Sequence, residues 1–508
     1  MGVPNMRLGE MLVLRGMASI DAVNEALDRQ RAMGGRLGDH LVSLGVATQE
    51  MLTQIFDETP PMPRSVAETG VSRGGLINLL LKFLRMDSCE LLPELSERMR
   101  LPHVVVQELI DEAVAGRQLQ VLGQTTSGLV RYMRYALSEQ GRLDATEALA
   151  QNQYLGPAPV SLEAYIAQVN RQSIKRECLD LETLKSGFSG MTVGDHYFRK
   201  LLPAVNAGQT VLLYGPPGNG KTTIGLRIAS VFRQPVHIPY AIEVSGQIIK
   251  LYDHNIHKPF VDEGEKDRPE MQALAARGNL QIEAFDARWM VCKRPVAIAG
   301  GELSLDMLEL RYDQDAKTYD APLHMKALNG MFLIDDFGRQ KVNPTELLNR
   351  WIVPLESRVD YLKLNTGKSF SIPFDELVFF STNLEPADLM DPAFLRRIPY
   401  KIRMFAPTIE EYRDIFIATT QARGLGITED VFAFIVHQLT GRRAHGLAYF
   451  QPRFICEQVM QVCRCFNCPP IITRELAAEA LGNLYVESGP EPSDAAGAVV
   501  GLPTMARA

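Results

Sequence analysis

The chain has 508 residues, too many for one hydrophobic core, so several domains are expected. Its formal net charge of −7 excludes global attraction to nucleic acid or anionic lipid and leaves only local patches for such binding. The longest apolar stretches, such as Leu76–Leu81, are broken by Asn78, Lys82 and Arg85 well short of a membrane span, and Met1-Gly-Val-Pro4 lacks an apolar signal core. With seven cysteines, an odd number in no regular framework, the chain reads as cytoplasmic, with no membrane insertion.

Residues 1–57 carry an internal repeat. Arg7-Leu8-Gly9-x-x-Leu12-Val13-x-x-Gly16 recurs as Arg36-Leu37-Gly38-x-x-Leu41-Val42-x-x-Gly45, an offset of 29 (36 − 7). The first copy continues with Val23, Leu27 and Gln30 and the second with Leu52 and Phe56; i, i+4 spacing puts each apolar pair on one helical face. This repeat resembles the N-terminal cyclic di-GMP-binding domain of type II secretion and type IV pilus assembly ATPases. The resemblance implies cyclic di-GMP as a regulatory ligand, held by Arg7, Leu8, Gly9 and Gln30 on one half and by Arg36, Leu37 and Gly38 on the other. Each guanidinium would meet a guanine edge or phosphate, each glycine would permit close backbone approach, and the apolar pairs would flank the bases. The second copy departs from the pattern, with Thr59 where Gln30 would recur. The competing reading is a helical docking module without a ligand.

Residues 58–72 read as a proline-rich linker, Glu58-Thr-Pro-Pro-Met-Pro-Arg64 at its start, that would leave the first module tethered and mobile. Within 73–150, an amphipathic helix from about Gly74, helices around Leu91–Met99 and Val104–Ala115, and strand-like pieces at Gln118–Leu122 and Leu129–Ala136 follow in winged helix-turn-helix order. Glu108, Asp111 and Glu112 on the third helix would face phosphates, with Arg117, Arg131 and Arg134 to compensate; this favours an interaction module over a DNA reader. A connector, 151–180, includes the helical stretch Leu162–Arg176.

Residues 181–405 hold the chemistry. Gly215-Pro216-Pro217-Gly218-Asn219-Gly220-Lys221-Thr222-Thr223 follows the apolar run Thr210–Tyr214 and opens a helix-like segment, so it is a strand, a glycine-rich turn and a helix start in the order a nucleoside triphosphate needs. Backbone N–H groups of the loop cradle the β-phosphate, Lys221 reaches the β/γ oxygens, and Thr222 offers its hydroxyl to Mg²⁺. Met331–Asp336 is an apolar strand ending in two carboxylates: Asp335 for the Mg²⁺ shell and Asp336 near the attacking water. Glu376–Asn383 is a second buried-type strand whose Asn383 can orient that water. Asp391–Ile398 supplies Arg396 and Arg397, and Gln451-Pro-Arg453 opens a helix with a third arginine.

In this order, these motifs resemble the AAA+ ATPases, of the MoxR or remodelling type, from about Leu181 to Glu487. The resemblance implies an α/β P-loop NTPase core with a helical lid at 406–487. It also implies catalytic roles for Lys221, Asp335, Asp336, Asn383, Arg396, Arg397 and Arg453, with Arg397 the first choice for a finger reaching into the neighbouring subunit. A finger acting in trans requires a homo-oligomer, and the family forms hexameric rings. One departure is Asp336, which stands where the family usually has Glu. The separation of 114 positions from Lys221 to Asp335 (335 − 221) exceeds what a compact core needs, and the excess is expected at Lys258–Gln281 and Arg311–Leu323. Pro344–Val359 reads as a helix kinked at Pro354, followed by a hairpin around Asn365-Thr-Gly-Lys368.

Cys456, Cys463, Cys465 and Cys468 lie on a helix-periodic segment with no nearby His, which favours buried cysteines over a zinc site. The tail, 488–508, is rich in Gly, Pro, Ala and Ser and reads as disordered. The whole reads as a ring-forming remodelling or regulatory ATPase acting on a protein substrate that the motifs do not name, gated by cyclic di-GMP. The alternatives are a winged-helix DNA-binding regulator, an accessory ATPase of a membrane secretion or pilus machine, and a nucleotide-dependent scaffold without turnover.

Overall fold

The N-terminal repeat folds as two helix pairs, Leu8–Leu14 with Ile20–Met33 and Leu37–Ser43 with Gln49–Glu58. The computed structural model describes residues 8–14, 17–127, 130–191, 193–260, 285–441 and 446–484. Leu12, Val23, Ala26, Leu41, Ala47 and Leu52 form the module's core, completed by Phe285 and Val291 from beyond it. A Cβ on Gly9 would lie 2.7 Å from Val23 Cγ1, and one on Gly38 would lie 3.1 Å from Leu52 Cδ1. Both glycines therefore allow close helix packing at the same place in each copy.

The proline-rich segment is packed, not a free tether. Thr59 and Pro60 are buried, Asp286 N donates to Pro60 O at 3.0 Å, and Gln168 Nε2 donates to Glu58 O at 2.7 Å. Prolines bring no N–H to satisfy, so such a run can be buried once its carbonyls find donors.

Helices Arg73–Met86, Leu92–Met99 and His103–Ala115 precede the antiparallel strands Leu119–Ser127 and Val130–Leu137, in the expected order. A further helix, Glu139–Gln151, follows. The acidic third helix is compensated from an unexpected place: Arg73 donates to Glu112 at 2.6 Å and to Glu108 at 3.0 Å, while Arg134 is engaged by Glu90. Glu108 also accepts from Val66 N at 3.0 Å, so that face is tied to the chain that precedes it.

The central sheet has five parallel strands: β1 (Val211–Tyr214), β2 (Val296–Ala299), β3 (Met331–Ile334), β4 (Leu377–Thr382) and β5 (Tyr400–Arg403), in spatial order β5-β1-β4-β3-β2. Strands β3 and β4 are buried throughout, as expected for a parallel sheet covered on both faces. All their carboxyl ends point one way, and the order reverses at β1, where ligands of open α/β sheets bind.

A second five-stranded sheet has no counterpart in the sequence reading. Its order is Arg311–Asp313, Thr318–Asp320, Gln247–Lys250, Ala241–Val244, Val160–Ser161. The segment Arg311–Leu323, expected as a surface insertion, thus supplies its edge hairpin, with Tyr319 buried among Ile249, Leu251 and Val160. Most of the other expected insertion, Lys258–Gln281, lies outside the described residues. The helix Pro344–Ser357, capped by Asn343, and the hairpin Val359–Lys363/Ser369–Pro373 form where their turn residues place them.

The described chain divides into two compact units, the second made of Pro217–Gly220, a short segment around residue 190, and the chain from Phe405 onward. Helices Ile409–Arg423, Glu429–Thr440, Gln451–Phe466 and Arg474–Leu484 pack around Tyr412, Phe416, Ile435, Ile455 and Val459. Cys456 and Cys463 belong to that apolar core, and Cys465 is exposed. The tail 488–508 lies outside the described residues. No helix among those described is long and apolar enough to cross a membrane.

Candidate active site

The chain leaves β1 at Tyr214 and re-enters regular structure at Lys221, the first residue of the helix Lys221–Val231. Gly215 has φ +135°, and a Cβ there would sit 2.3 Å from Met404 O, so the turn closes against the end of β5 only with glycine. Lys221 is 6% exposed; its Nζ donates to Gly215 O and Pro216 O, both at 2.9 Å, and to Asn383 Oδ1 at 2.7 Å. Burial lowers its pKa from the usual lysine value, and the carboxylates of Asp336 and Asp335 oppose that shift.

Thr222 Oγ1 donates to the Asp335 carboxylate at 2.8 and 2.9 Å. Asn383 Nδ2 donates to Asp336 Oδ1 at 2.9 Å, so one amide joins Lys221 to Asp336 and its orientation is set by both. The phosphate loop, the end of β3 and the end of β4 thus meet through side chains. A hydroxyl and a carboxylate side by side are hard oxygen donors of the kind Mg²⁺ takes, so Thr222 and Asp335 fit the ion expected from the sequence. Thr223, next in the chain, is exposed.

The turn after β3 is held by groups the sequence reading did not single out. Asp336 has φ +47°, a left-handed conformation that Asp tolerates better than most residues. Phe337 N donates to Ser381 O at 2.7 Å, and Thr382 Oγ1 returns a bond to Phe337 O at 2.7 Å. Gln340 Nε2 donates to the carbonyls of Asp335 at 2.9 Å and Asp336 at 3.1 Å, while its Oε1 accepts from Gly338 N at 2.7 Å. The signal in the sequence was the glycine two places after Asp336, which marks a tight turn.

In the second unit, Phe450 N donates to Gly218 O at 3.3 Å and the Phe450 ring occupies the space a Cβ on Gly218 would need. Asn219 is 3% exposed, and neither polar atom of its amide has a partner among the described residues. Arg453, also in this unit, donates to Glu457 at 2.7 Å.

The paired arginines have different surroundings. Arg397 Nε donates to Glu356 Oε1 at 2.6 Å and Nη1 to Ala393 O at 2.7 Å, whereas Arg396 is exposed and makes no hydrogen bond or ion pair with a described residue. In the N-terminal repeat, Arg7 lies outside the described residues, Arg36 is exposed, and Leu8 and Leu37 pack against the module's core. Gln30 Nε2 donates to Gly35 O at 3.0 Å and so closes the turn between the two copies.

A family model described as a domain of unknown function (DUF8689) matches residues 408–483, the helical part of the second unit. No curated protein matches the chain. Among solved structures, the chain is similar to NtrX from Brucella abortus, at 13% identity and TM-score 0.35 over 68% of this chain and 64% of that one. It is also similar to the Thermotoga maritima RuvB Holliday junction branch migration motor, at 16% identity and TM-score 0.28 over 64% and 72%. A third similarity is to domain III of the Thermotoga maritima replication initiation protein DnaA, at 13% identity and TM-score 0.31 over 58% and 95%. The chain thus spans just under two thirds of the NtrX structure it matches.

Proposed function

We propose that the chain is an AAA+ ATPase that binds and hydrolyses ATP with Mg²⁺, works as a homo-oligomeric, hexameric ring, and is gated by cyclic di-GMP through its N-terminal repeat. The observation that carries the ATPase reading is the continuous connection of Lys221, Asn383 and Asp336, with Thr222 on Asp335 beside it. Phosphate oxygens would replace the carbonyls that Lys221 now meets. Thr222 and Asp335 would hold Mg²⁺, which would supply charge neutralisation of the phosphates. Asp336 accepts a proton from the attacking water, and Asn383 holds that carboxylate in place.

Cyclic di-GMP gating rests on the repeat and on the exposed Arg36; the packing of Gly9 and Gly38 against neighbouring helices counts for the alternative docking module. For the domain of residues 73–150, the engagement of Glu108 and Glu112 by Arg73 supports a protein-facing relay rather than a DNA reader. The test is steady-state phosphate release by the full-length protein with and without micromolar cyclic di-GMP. Lys221→Ala is expected to abolish release, and Arg36→Ala to remove any response to the ligand. Tight ATP binding without release would leave a nucleotide-dependent scaffold, and a rate indifferent to cyclic di-GMP would leave an ATPase with a docking module.

A further inference from the structure

A cavity of about 480 Å³ opens between the last helix of the repeat, Gln49–Glu58, and the segment that leads into the central sheet. That volume lies within the roughly 300–1,000 Å³ range of small-molecule sites. Glu50 and Asp57 line one wall, and Arg171 and Arg176 another. All four side chains are exposed, and none pairs with another described residue, so the two charged walls face one cavity without closing on each other. A third guanidinium, Arg294, is already committed to Glu177 at 2.9 Å and to the carbonyls of Gln172 and Asn329.

The floor of the cavity is continuous with the catalytic strands. Gln172 Nε2 donates to Asn329 Oδ1 at 2.9 Å, and Asn329 Nδ2 donates to Asp375 Oδ2 at 2.7 Å. Asp375 also accepts from Ser173 Oγ at 2.8 Å and Ile174 N at 3.1 Å. Asn329 and Asp375 stand just before β3 and β4, the strands that carry Asp335, Asp336 and Asn383 at their far ends. Both are rigid buried strands in register, so a displacement at one end is passed to the other.

A ligand that satisfies both walls needs an anion at one end and a donor edge at the other. Guanidinium forks take phosphate oxygens in pairs, and a carboxylate takes two adjacent N–H donors. Guanine presents such donors side by side, N1–H and N2–H₂, whereas adenine sets one amino group beside an acceptor that a carboxylate would repel. We infer that this cavity binds a guanine nucleotide, phosphate on Arg171 and Arg176 and base on the Glu50 and Asp57 wall, and that occupancy reaches β3 and β4 through Gln172, Asn329 and Asp375. The site shares no residue with the phosphate loop or with Arg36, Leu37 and Gly38, so it goes beyond the gating proposed above.

The experiment is calorimetric titration of the full-length protein with 5′-GMP, in excess ADP and Mg²⁺ to occupy the phosphate loop. One site per chain is expected, with affinity reduced about tenfold or more in Arg171→Ala/Arg176→Ala and in Asp57→Asn, and unchanged in Arg36→Ala. 5′-AMP and inorganic phosphate should each bind about tenfold more weakly or worse. The substituted residues are exposed, and an unchanged melting curve establishes that each variant is folded. Absence of GMP binding, equal binding of inorganic phosphate, or loss in Arg36→Ala with retention in the double arginine variant would overturn the assignment. Hydrogen exchange at Met331–Ile334 should slow on adding GMP, and unaltered exchange there would overturn the transmission.

Discussion

Asp336 combines two demands at one residue: a left-handed backbone, φ +47°, and a carboxylate held by Asn383 at 2.9 Å. Asp meets both, because its short side chain is among those that adopt this conformation most readily. Asp336→Asn should keep the backbone and the fold but lower phosphate release by about 10²–10⁴-fold with ATP binding intact, measured by single-turnover release beside nucleotide binding. Turnover at the wild-type rate would remove Asp336 from the mechanism. A second carboxyl lies away from the chemistry. Glu376 is 1% exposed, both its oxygens lack partners among the described residues, and burial, with the charge of Asp360 acting in the same direction, raises its pKa well above the usual 4.5. A raised carboxyl pKa means that the folded chain binds the proton more tightly than the unfolded one, so stability falls as pH rises above about 4.5. Glu376→Gln, which stays neutral, should therefore raise the melting temperature at pH 8, and the gain should vanish below pH ~4. A gain of equal size at both pH values would show that packing, not charge, is responsible.

Among the elements, the helix pairs of the N-terminal repeat carry glycines, read from the sequence for ligand approach, that also sit at close helix contacts. The pattern Arg-Leu-Gly was visible in each copy, and so was its apolar spacing, because both are local. That Gly9 and Gly38 abut Val23 and Leu52 was not visible, because it depends on how closely two helices approach. Gly9→Ala should destabilise the module by about 1–3 kcal/mol through overpacking, and Gly38→Ala less, since its nearest contact is 3.1 Å rather than 2.7 Å. Hydrogen exchange of the Ile20–Met33 and Gln49–Glu58 helices would measure the difference, and an order reversed from this would refute the packing account. The second sheet escaped sequence reading for a related reason. Val160–Ser161 and Arg311–Asp313 are too short to show an alternating pattern; Val160–Ser161 pairs only with the distant Ala241–Val244, and the hairpin of Arg311–Asp313 with Thr318–Asp320 joins the sheet only through the distant Gln247–Lys250.

Across the whole molecule, the proposed assembly turns on which arginine a neighbouring subunit would receive. Arg397, the first choice from its motif, is held by Glu356 and Ala393 O, whereas Arg396 beside it is exposed. If a subunit's site is completed in trans, Arg396→Ala should cost about 10³-fold in turnover with stability and ring formation intact. Arg397→Ala should instead lower the melting temperature. Mass photometry with phosphate release separates the two, and full activity in Arg396→Ala would return the role to Arg397 or remove the finger. The glycine-rich turn after β1, the carboxylates after β3, the asparagine after β4 and the core positions of Cys456 and Cys463 were all readable from contiguous residues. Each is a short run whose backbone and burial requirements restrict the residue types within it. Pairings between distant segments were not readable: the bond of Lys221 to Asn383, the bonds of the proline-rich segment to Gln168 and Asp286, Arg73 on the acidic helix, and the unpaired arginines across from Glu50 and Asp57. These depend on long-range geometry, which no local pattern encodes, so the motifs specify the strand–loop–helix and the side chains at the strand ends while the folded chain specifies what surrounds and connects to them.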